Sequence, residues 1–387
     1  MKRKALLAAV AAAVLLMAAC GRDEEPAGTS QPSEVSGPVE GEITVWAMGT
    51  EGEYLHVLAE DFMAEYPGTT VTVTPVPWDA AHDRIVNAIA AGEVPDVSQI
   101  GTTWMGEFGA MGGLDPVPSS IDPGQFFQGA WETTVVDGVS YGVPWYVSAH
   151  VLYYRTDLAE AAGVDSPPAN WDELRNLAEG AKANGAQYGI NLETGVSGAW
   201  QTWVTFFWQQ GGEFLDPDGE TFTLDSPACV AALGLYKEFF DAGLSPDSPS
   251  DVPVETRFAD GQVASFISGP WMMGIVENAG AEPDTWTVTH LPAEQSGTSF
   301  VGGANLSVFA DSDNKPLAWA FIEYLSEPEV QAKWYETASA LPAVQAAWDE
   351  PALATDPRVA VFGEQLQDAK APPAIPTWEQ VAAVIDD

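Results

Sequence analysis

Residues 42–113 read EITVWAMGTEGEYLHVLAEDFMAEYPGTTVTVTPVPWDAAHDRIVNAIAAGEVPDVSQIGTTWMGEFGAMGG. Apolar and polar residues alternate from Glu42 to Ala47, which predicts a strand. The period then changes. Across 52–65, Leu55, Leu58, Phe62 and Tyr66 fall on one helical face, and Pro67-Gly68 ends the helix. Thr69 to Val76 alternates threonine and valine, a second strand, and 79–91 is a second amphipathic helix stopped by Gly92. Asp96–Ile100 is a short third strand, and 103–111 is helical up to Gly112-Gly113. This β-α-β-α-β-α order implies a parallel sheet flanked by helices. Ligands of such sheets sit beyond the carboxyl ends of the strands. Those ends lead here into loops 48–53, 77–79 and 101–104.

Downstream, Val151–Tyr154 reads as a strand and 171–183 as a helix capped by Asn170 or Asp172. Trp200–Gln210 is a strongly apolar helix, 228–241 is another, 254–286 mixes the two types, and 315–349 is mainly helical from Lys315-Pro316. With 387 residues, 46% of them hydrophobic, the chain suffices for two domains with a large core.

The N-terminus has a different character. Lys2-Arg3-Lys4 precedes an apolar run over 5–19, too short to span a bilayer but suited to a signal peptide. The run ends in Leu16-Met17-Ala18-Ala19-Cys20-Gly21, which resembles a bacterial lipobox. That resemblance implies cleavage before Cys20 and a lipid on its sulfur. Residues 21–40 are rich in Gly, Pro, Ser, Thr and Glu and cannot bury enough apolar surface to order themselves. They read as a tether spanning roughly 25 Å. The expected location is therefore the outer side of the cell membrane, held by the lipid alone.

The net charge is −42, and losing the three N-terminal basic residues takes it to −45. Such a surface repels nucleic acid and anionic headgroups. Fourteen Lys+Arg make phosphate or dicarboxylate ligands a poor fit and leave a cation or a neutral polar molecule. The two cysteines, Cys20 and Cys229, allow neither a disulfide framework nor a zinc pattern. Cys229 follows a helix start and reads as a small buried residue.

Motifs for catalysis are absent or misplaced. Gly138-Val139-Ser140-Tyr141-Gly142 fits G-x-S-x-G, but Asp137-Gly138 is a hairpin signal and Pro144 opposes the helix that a nucleophile elbow needs. The acidic runs at Asp216–Glu220 and Asp311–Asn314 lack the Glu expected at the twelfth position of a calcium loop and read as turns. No cofactor or metal is expected. The stronger signal is aromatic. Trp46, Trp78, Trp104, Trp145, Tyr146, Trp200, Trp203 and Trp271 recur near Gly, Pro and short polar residues, as a concave site for sugar rings requires.

Several segments in order resemble the type-1 extracellular solute-binding proteins of ABC importers. They are Gly92-Glu93-Val94-Pro95-Asp96-Val97; Tyr141-Gly142-Val143-Pro144-Trp145-Tyr146 followed by Leu152–Leu158; Asn170-Trp171-Asp172-Glu173-Leu174; Ser268-Gly269-Pro270-Trp271; and Phe300-Val301-Gly302-Gly303 with 318–325. The resemblance implies a two-lobed periplasmic-binding-protein-like fold of type II. Each lobe would be a mixed, mainly parallel sheet flanked by helices, joined by hinge strands. It places one lobe at 41–147 plus 302–355 and the other at 149–299 plus 357–387, with crossings near 147–149, 299–302 and 355–358. It further implies a carbohydrate ligand, permease transmembrane subunits as partners, a monomer, and no enzymatic activity.

The candidate ligand-binding set is Thr50, Glu51, Trp78, Asp79, Thr103, Trp104, Trp145, Tyr146, Glu193, Trp200, Trp271, Gly303 and Trp378. Trp271 corresponds to the family's sugar-stacking Trp after Gly-Pro. Thr50 and Glu51 correspond to the first cleft loop, and Gly303 to the small residue that lets backbone approach the ligand. Against maltose-binding members, Glu51 stands where a Lys is usual and Ser148 where a Glu is. An Asp-Arg pair is missing near Thr102–Trp104. These departures argue against maltose itself and leave carbohydrate as the class. A polyamine-type cation receptor of the same fold and a secreted glycosidase stay open as alternatives.

Overall fold

The computed structural model describes residues 37–195, 198–219 and 221–386. The segment expected to be a signal peptide, Cys20 and most of the expected tether lie outside them.

Twelve strands are formed among these residues. In chain order they are β1 (Gly41–Met48), β2 (Thr69–Val76), β3 (Val97–Gly101), β4 (Val135–Val136), β5 (Val139–Ser140), β6 (Val143–Ala149), β7 (Val151–Arg155), β8 (Ser265–Ser268), β9 (Trp286–Thr289), β10 (Ser299–Val308), β11 (Leu341–Pro342) and β12 (Ala369–Lys370). The opening stretch folds as its periodicity predicts. The β1–β2 turnover is filled by a helix over Gly49–Glu65, and Trp78–Ala91 joins β2 to β3. Leu55, Leu58 and Phe62 are buried against the sheet, and Phe62 packs on Tyr66 and Phe321 at 4.6 and 5.1 Å.

The large sheet runs β11-β6-β10-β3-β1-β2, with β12 beside one end of β10. Its β1–β2 and β1–β3 pairs are parallel, but β10 lies antiparallel to both β3 and β6. The expected mainly parallel character therefore holds only for the opening half of this sheet. The second lobe departs further: β7 is the centre of a three-stranded sheet and is antiparallel to both β8 and β9. β8 and β9 point the same way, as a crossover through the helix Met272–Asn278 dictates. β7 is inserted between them from the other lobe, one residue after β6, so no crossover sets its direction.

Among the described residues, two connections join the two sheets, β6 to β7 and β9 to β10. His150 alone separates β6 from β7. β10 begins beside β12 and continues into the large sheet between β6 and β3. The helix Pro357–Gln365 packs on β9, β6 and β7 and so touches strands of both sheets.

The second lobe's core is aromatic. Trp171 lies 3.9 Å from Phe206 between ring centroids and gives its indole N–H to Gln209 at 2.7 Å. Its helix, Trp171–Ala183, is capped by Asn170, whose side chain accepts the Glu173 N–H at 2.9 Å. Such a cap contributes about 1 kcal/mol. Cys229 is a buried free thiol. No helix among the described residues is long and apolar enough to cross a membrane.

The G-x-S-x-G segment forms a hairpin. Asp137 and Gly138 take φ of 51° and 80°, and Ser140 sits on β5 hydrogen-bonded to Thr134. Primed turns of this kind need left-handed residues at both central positions. No helix follows it, and no cluster of metal-ligating side chains occurs among the described residues.

Candidate ligand-binding cleft

Three strand ends of the large sheet supply one wall. β1 turns into its helix at Gly49 with φ 54°, where a Cβ would lie 2.8 Å from the Trp78 indole nitrogen. That turn places Thr50 and Glu51 in the helix's first turn. After β2, Trp78 opens the second helix and stays 37% exposed. After β3, the short turn Thr102–Trp104 brings Trp104 edge-on to Trp78, centroids 5.5 Å apart. His82 supports Trp104 from behind at 5.4 Å and is itself held by Glu107 at 2.9 Å.

The other wall comes from the small sheet. β8 runs into Gly269-Pro270-Trp271, and a Cβ on residue 269 would lie 2.0 Å from the Trp271 ring. The glycine lets the indole fold back over the chain, where it remains 47% exposed. Gln201 joins it from the helix Trp200–Gln209.

The hinge strands make the floor, with Tyr146, Val147 and Ser148 on β6 and Phe300, Gly302 and Gly303 on β10. Gly303 has φ 125°, and a Cβ there would fall 2.2 Å from the Tyr146 carbonyl oxygen. Only glycine lets β10 approach β6 so closely. Ser339 to Leu341 close one end, and the cavity measures about 640 Å³.

Among the described residues lining this cavity, Glu51 and Tyr146 are the only ionisable side chains. Burial raises the Glu51 carboxyl above its ordinary value, while its own backbone N–H and the Tyr146 hydroxyl pull it down. Burial, with the Glu51 charge beside it, pushes the Tyr146 phenol well up, so it stays protonated. His150 lies just beneath, 5.1 Å from Phe300 and 6.0 Å from Trp271. Burial drops its pKa to about 4, and neither ring nitrogen has a protein partner.

The structure thus brings Thr50, Glu51, Trp78, Thr103, Trp104, Tyr146, Trp271 and Gly303 to one cleft. Five expected residues lie elsewhere, each for a physical reason. Trp145 is buried and stacked on Trp334 at 5.0 Å, because successive strand residues face opposite sides and Tyr146 takes the cleft side. Trp200 is buried edge-on to Phe300 and Trp378 at 5.3 and 5.1 Å, and helical rotation presents Gln201 instead. Trp378 is completely buried in the same cluster. Glu193 lines a separate hollow of about 360 Å³ with Trp203, Tyr236 and Asp386. Asp79 is exposed outside the cavity lining.

Gln201, Ser148, Phe300, Pro270 and the 338–341 segment had not been expected in the lining. The Gly302-Gly303 and Gly-Pro-Trp signals point to their neighbours. Nothing local marks the 338–341 segment.

The chain as a whole has counterparts among known proteins. A binding protein of Brucella abortus (strain 2308) is 32% identical over 342 residues, covering 86% of this chain and 83% of its own. The diacetylchitobiose binding protein DasA of Streptomyces coelicolor is 27% identical, covering 84% and 78%. The solved structure of the sugar-binding protein MalE from Xanthomonas citri superposes with a TM-score of 0.84 at 32% identity, covering 89% of this chain and 90% of that one. The profile of the bacterial extracellular solute-binding protein family matches residues 47–332, a span that contains both walls of the cleft and the β6 and β10 hinge strands, and the chain belongs to that family.

Proposed function

We propose that this chain is the extracellular capture subunit of an ABC-type carbohydrate importer. It holds a neutral mono- or oligosaccharide between its lobes and passes it unchanged to a membrane permease. The observation that carries this reading is the pair Trp78 and Trp271: large rings from opposite lobes, 37% and 47% exposed, lining one cavity. Indole faces match the C–H faces of a pyranose. Ser148, Gln201 and the backbone beside Gly302 and Gly303 can meet hydroxyl groups. The relatives DasA and MalE, described as diacetylchitobiose- and sugar-binding, support the ligand class.

Capture works by lobe closure. Sugar enters the open cleft, and contacts from both walls make the closed state the tighter one, since only differential affinity shifts such a balance. The permease then recognises the closed lobes. A lipid on Cys20 and the tether after it keep the monomer at the outer membrane surface.

One carboxylate in the cleft is too few for a polyamine. With a single carboxylate in the lining there is also no pair of carboxyl groups of the kind glycosidases use. Thermal-shift and calorimetric titration with maltooligosaccharides, diacetylchitobiose and galactooligosaccharides tests the reading. Saturable binding without consumption of the sugar supports it. Binding of spermidine that weakens steeply with salt, or release of product from a chromogenic glycoside, overturns it.

A further inference from the structure

Between β12 and the helix Trp378–Asp386 the chain reads Ala371-Pro372-Pro373-Ala374-Ile375-Pro376-Thr377. Pro372, Pro373 and Pro376 fix their own φ angles and lack N–H donors, so the stretch is stiff and cannot pair as a regular strand. The Ile375 N–H bonds the Pro373 carbonyl at 2.9 Å, a three-residue turn with Ala374 at its apex. One side of this strap is welded to the second lobe. Ile375 packs into that lobe's aromatic core, and the fully buried Trp378 meets Phe214 and Trp200 at 4.8 and 5.1 Å. The Trp378 N–H closes on the Ile375 carbonyl at 3.2 Å.

The other side rests on the first lobe. Gly106 is buried in the helix Met105–Ala110, two residues after the cleft residue Trp104. A Cβ at 106 would lie 2.5 Å from the Ala374 carbonyl carbon and from the Ile375 nitrogen and carbonyl carbon. All three are backbone atoms, which cannot swing aside as the end of a side chain can. Gly106 is not among the glycines with left-handed φ, so this close approach is what demands the missing side chain. The two sides of the strap also differ in kind. Among the described residues no hydrogen bond runs from 371–378 to the first lobe. A contact held by packing alone can part and re-form without stranding a buried polar group.

We propose that this strap is a closure latch. It is carried by the second lobe, its bend at Ala374 seats on Gly106 when the lobes shut, and the bare Cα at 106 sets how far they shut. The latch rests on the lobe-closure reading above and not on the chemistry of the ligand. Gly106 does not line the cavity, so it acts on binding only through the fraction of molecules that can close.

Gly106→Ala and Gly106→Leu test the latch. With the lobes parted, the added side chain has no strap to meet. The sugar-free unfolding midpoint of Gly106→Ala should therefore hold or rise slightly, as alanine for glycine inside a helix does. With the strap seated, the side chain runs into backbone. Overpacking of that kind should weaken binding roughly 5- to 150-fold by calorimetry with maltooligosaccharides, diacetylchitobiose or galactooligosaccharides, leucine more than alanine. Small-angle scattering in saturating sugar should give both variants a larger radius of gyration than wild type.

A radius equal to wild type's in saturating sugar overturns the latch, whether or not binding weakens. A sugar-free midpoint of Gly106→Ala well below wild type also overturns it, because the contact is then a fixed part of the fold. If no saccharide acts on wild type, the sugar-free radius decides. A larger radius in Gly106→Leu leaves the latch standing and overturns the carbohydrate reading. An unchanged one overturns both.

Discussion

Replacing His150 by leucine should remove an acid-sensitive weakness at the hinge. The imidazole sits between β6 and β7, packed by Phe300 and Trp271, with both nitrogens lacking a protein partner. Its pKa falls from the ordinary 6.5 to about 4 because the charged form is stripped of water. The unfolded chain therefore takes up a proton near pH 6.5, and the folded chain only near 4. Stability is unaffected above 6.5, falls as pH drops through that window, and levels off below the folded value. A fall from 6.5 to about 4 corresponds to about 3 kcal/mol in full, and about 2.5 kcal/mol of it is lost by pH 4.5. Urea unfolding of the protein lacking residues 1–36, at pH 7 and pH 4.5, gives the comparison. The many carboxylates titrate in both proteins and cancel in the difference. Wild type should lose about 2–3 kcal/mol more than His150→Leu over that interval. At pH 7 the variant should be no weaker, because leucine leaves no unpaired polar atom. Equal acid losses in the two proteins would refute the assignment.

Trp271→Ala should weaken sugar binding by about 1–3 kcal/mol, roughly 5- to 150-fold, with little change in unfolding midpoint, since the ring is half exposed. Trp145→Ala should do the reverse, costing about 3–5 kcal/mol of stability from a fully buried site stacked on Trp334. Gly303→Ala forces a Cβ onto the Tyr146 carbonyl and should both destabilise the chain and abolish binding, by calorimetry and thermal melt. Raising salt from 50 to 500 mM should change neutral-sugar affinity less than twofold, whereas a cationic ligand would lose far more.

The opening lobe was legible because its signals are local. Alternation in Glu42–Ala47 and Thr69–Val76, the helical face of Leu55, Leu58 and Phe62, and Pro67-Gly68 each carry their own meaning. The second lobe was less so. β7 is antiparallel to β8 and β9, whose pairing partners lie more than a hundred residues away, and no short window carries that information. The cleft divides likewise. Trp78, Trp104 and Trp271 stand at strand ends, where sheet geometry dictates exposure. Trp145, Trp200 and Trp378 have the same composition around them but face inward, because strand alternation and helix rotation select a neighbour. Tryptophan's chemistry suits core and ligand alike, so only orientation separates them. Gly106 left no trace, since a glycine in a short helix gives no sign of what seats on it.

Calorimetric titration of the protein lacking residues 1–36 with a panel of neutral mono-, di- and trisaccharides, repeated on Trp271→Ala, bears most directly on whether the inter-lobe cleft receives sugar. At least one saccharide should give a saturable one-to-one isotherm that the substitution weakens at least fivefold. Silence across the panel, or an isotherm indifferent to loss of that indole, would contradict a sugar site between the lobes.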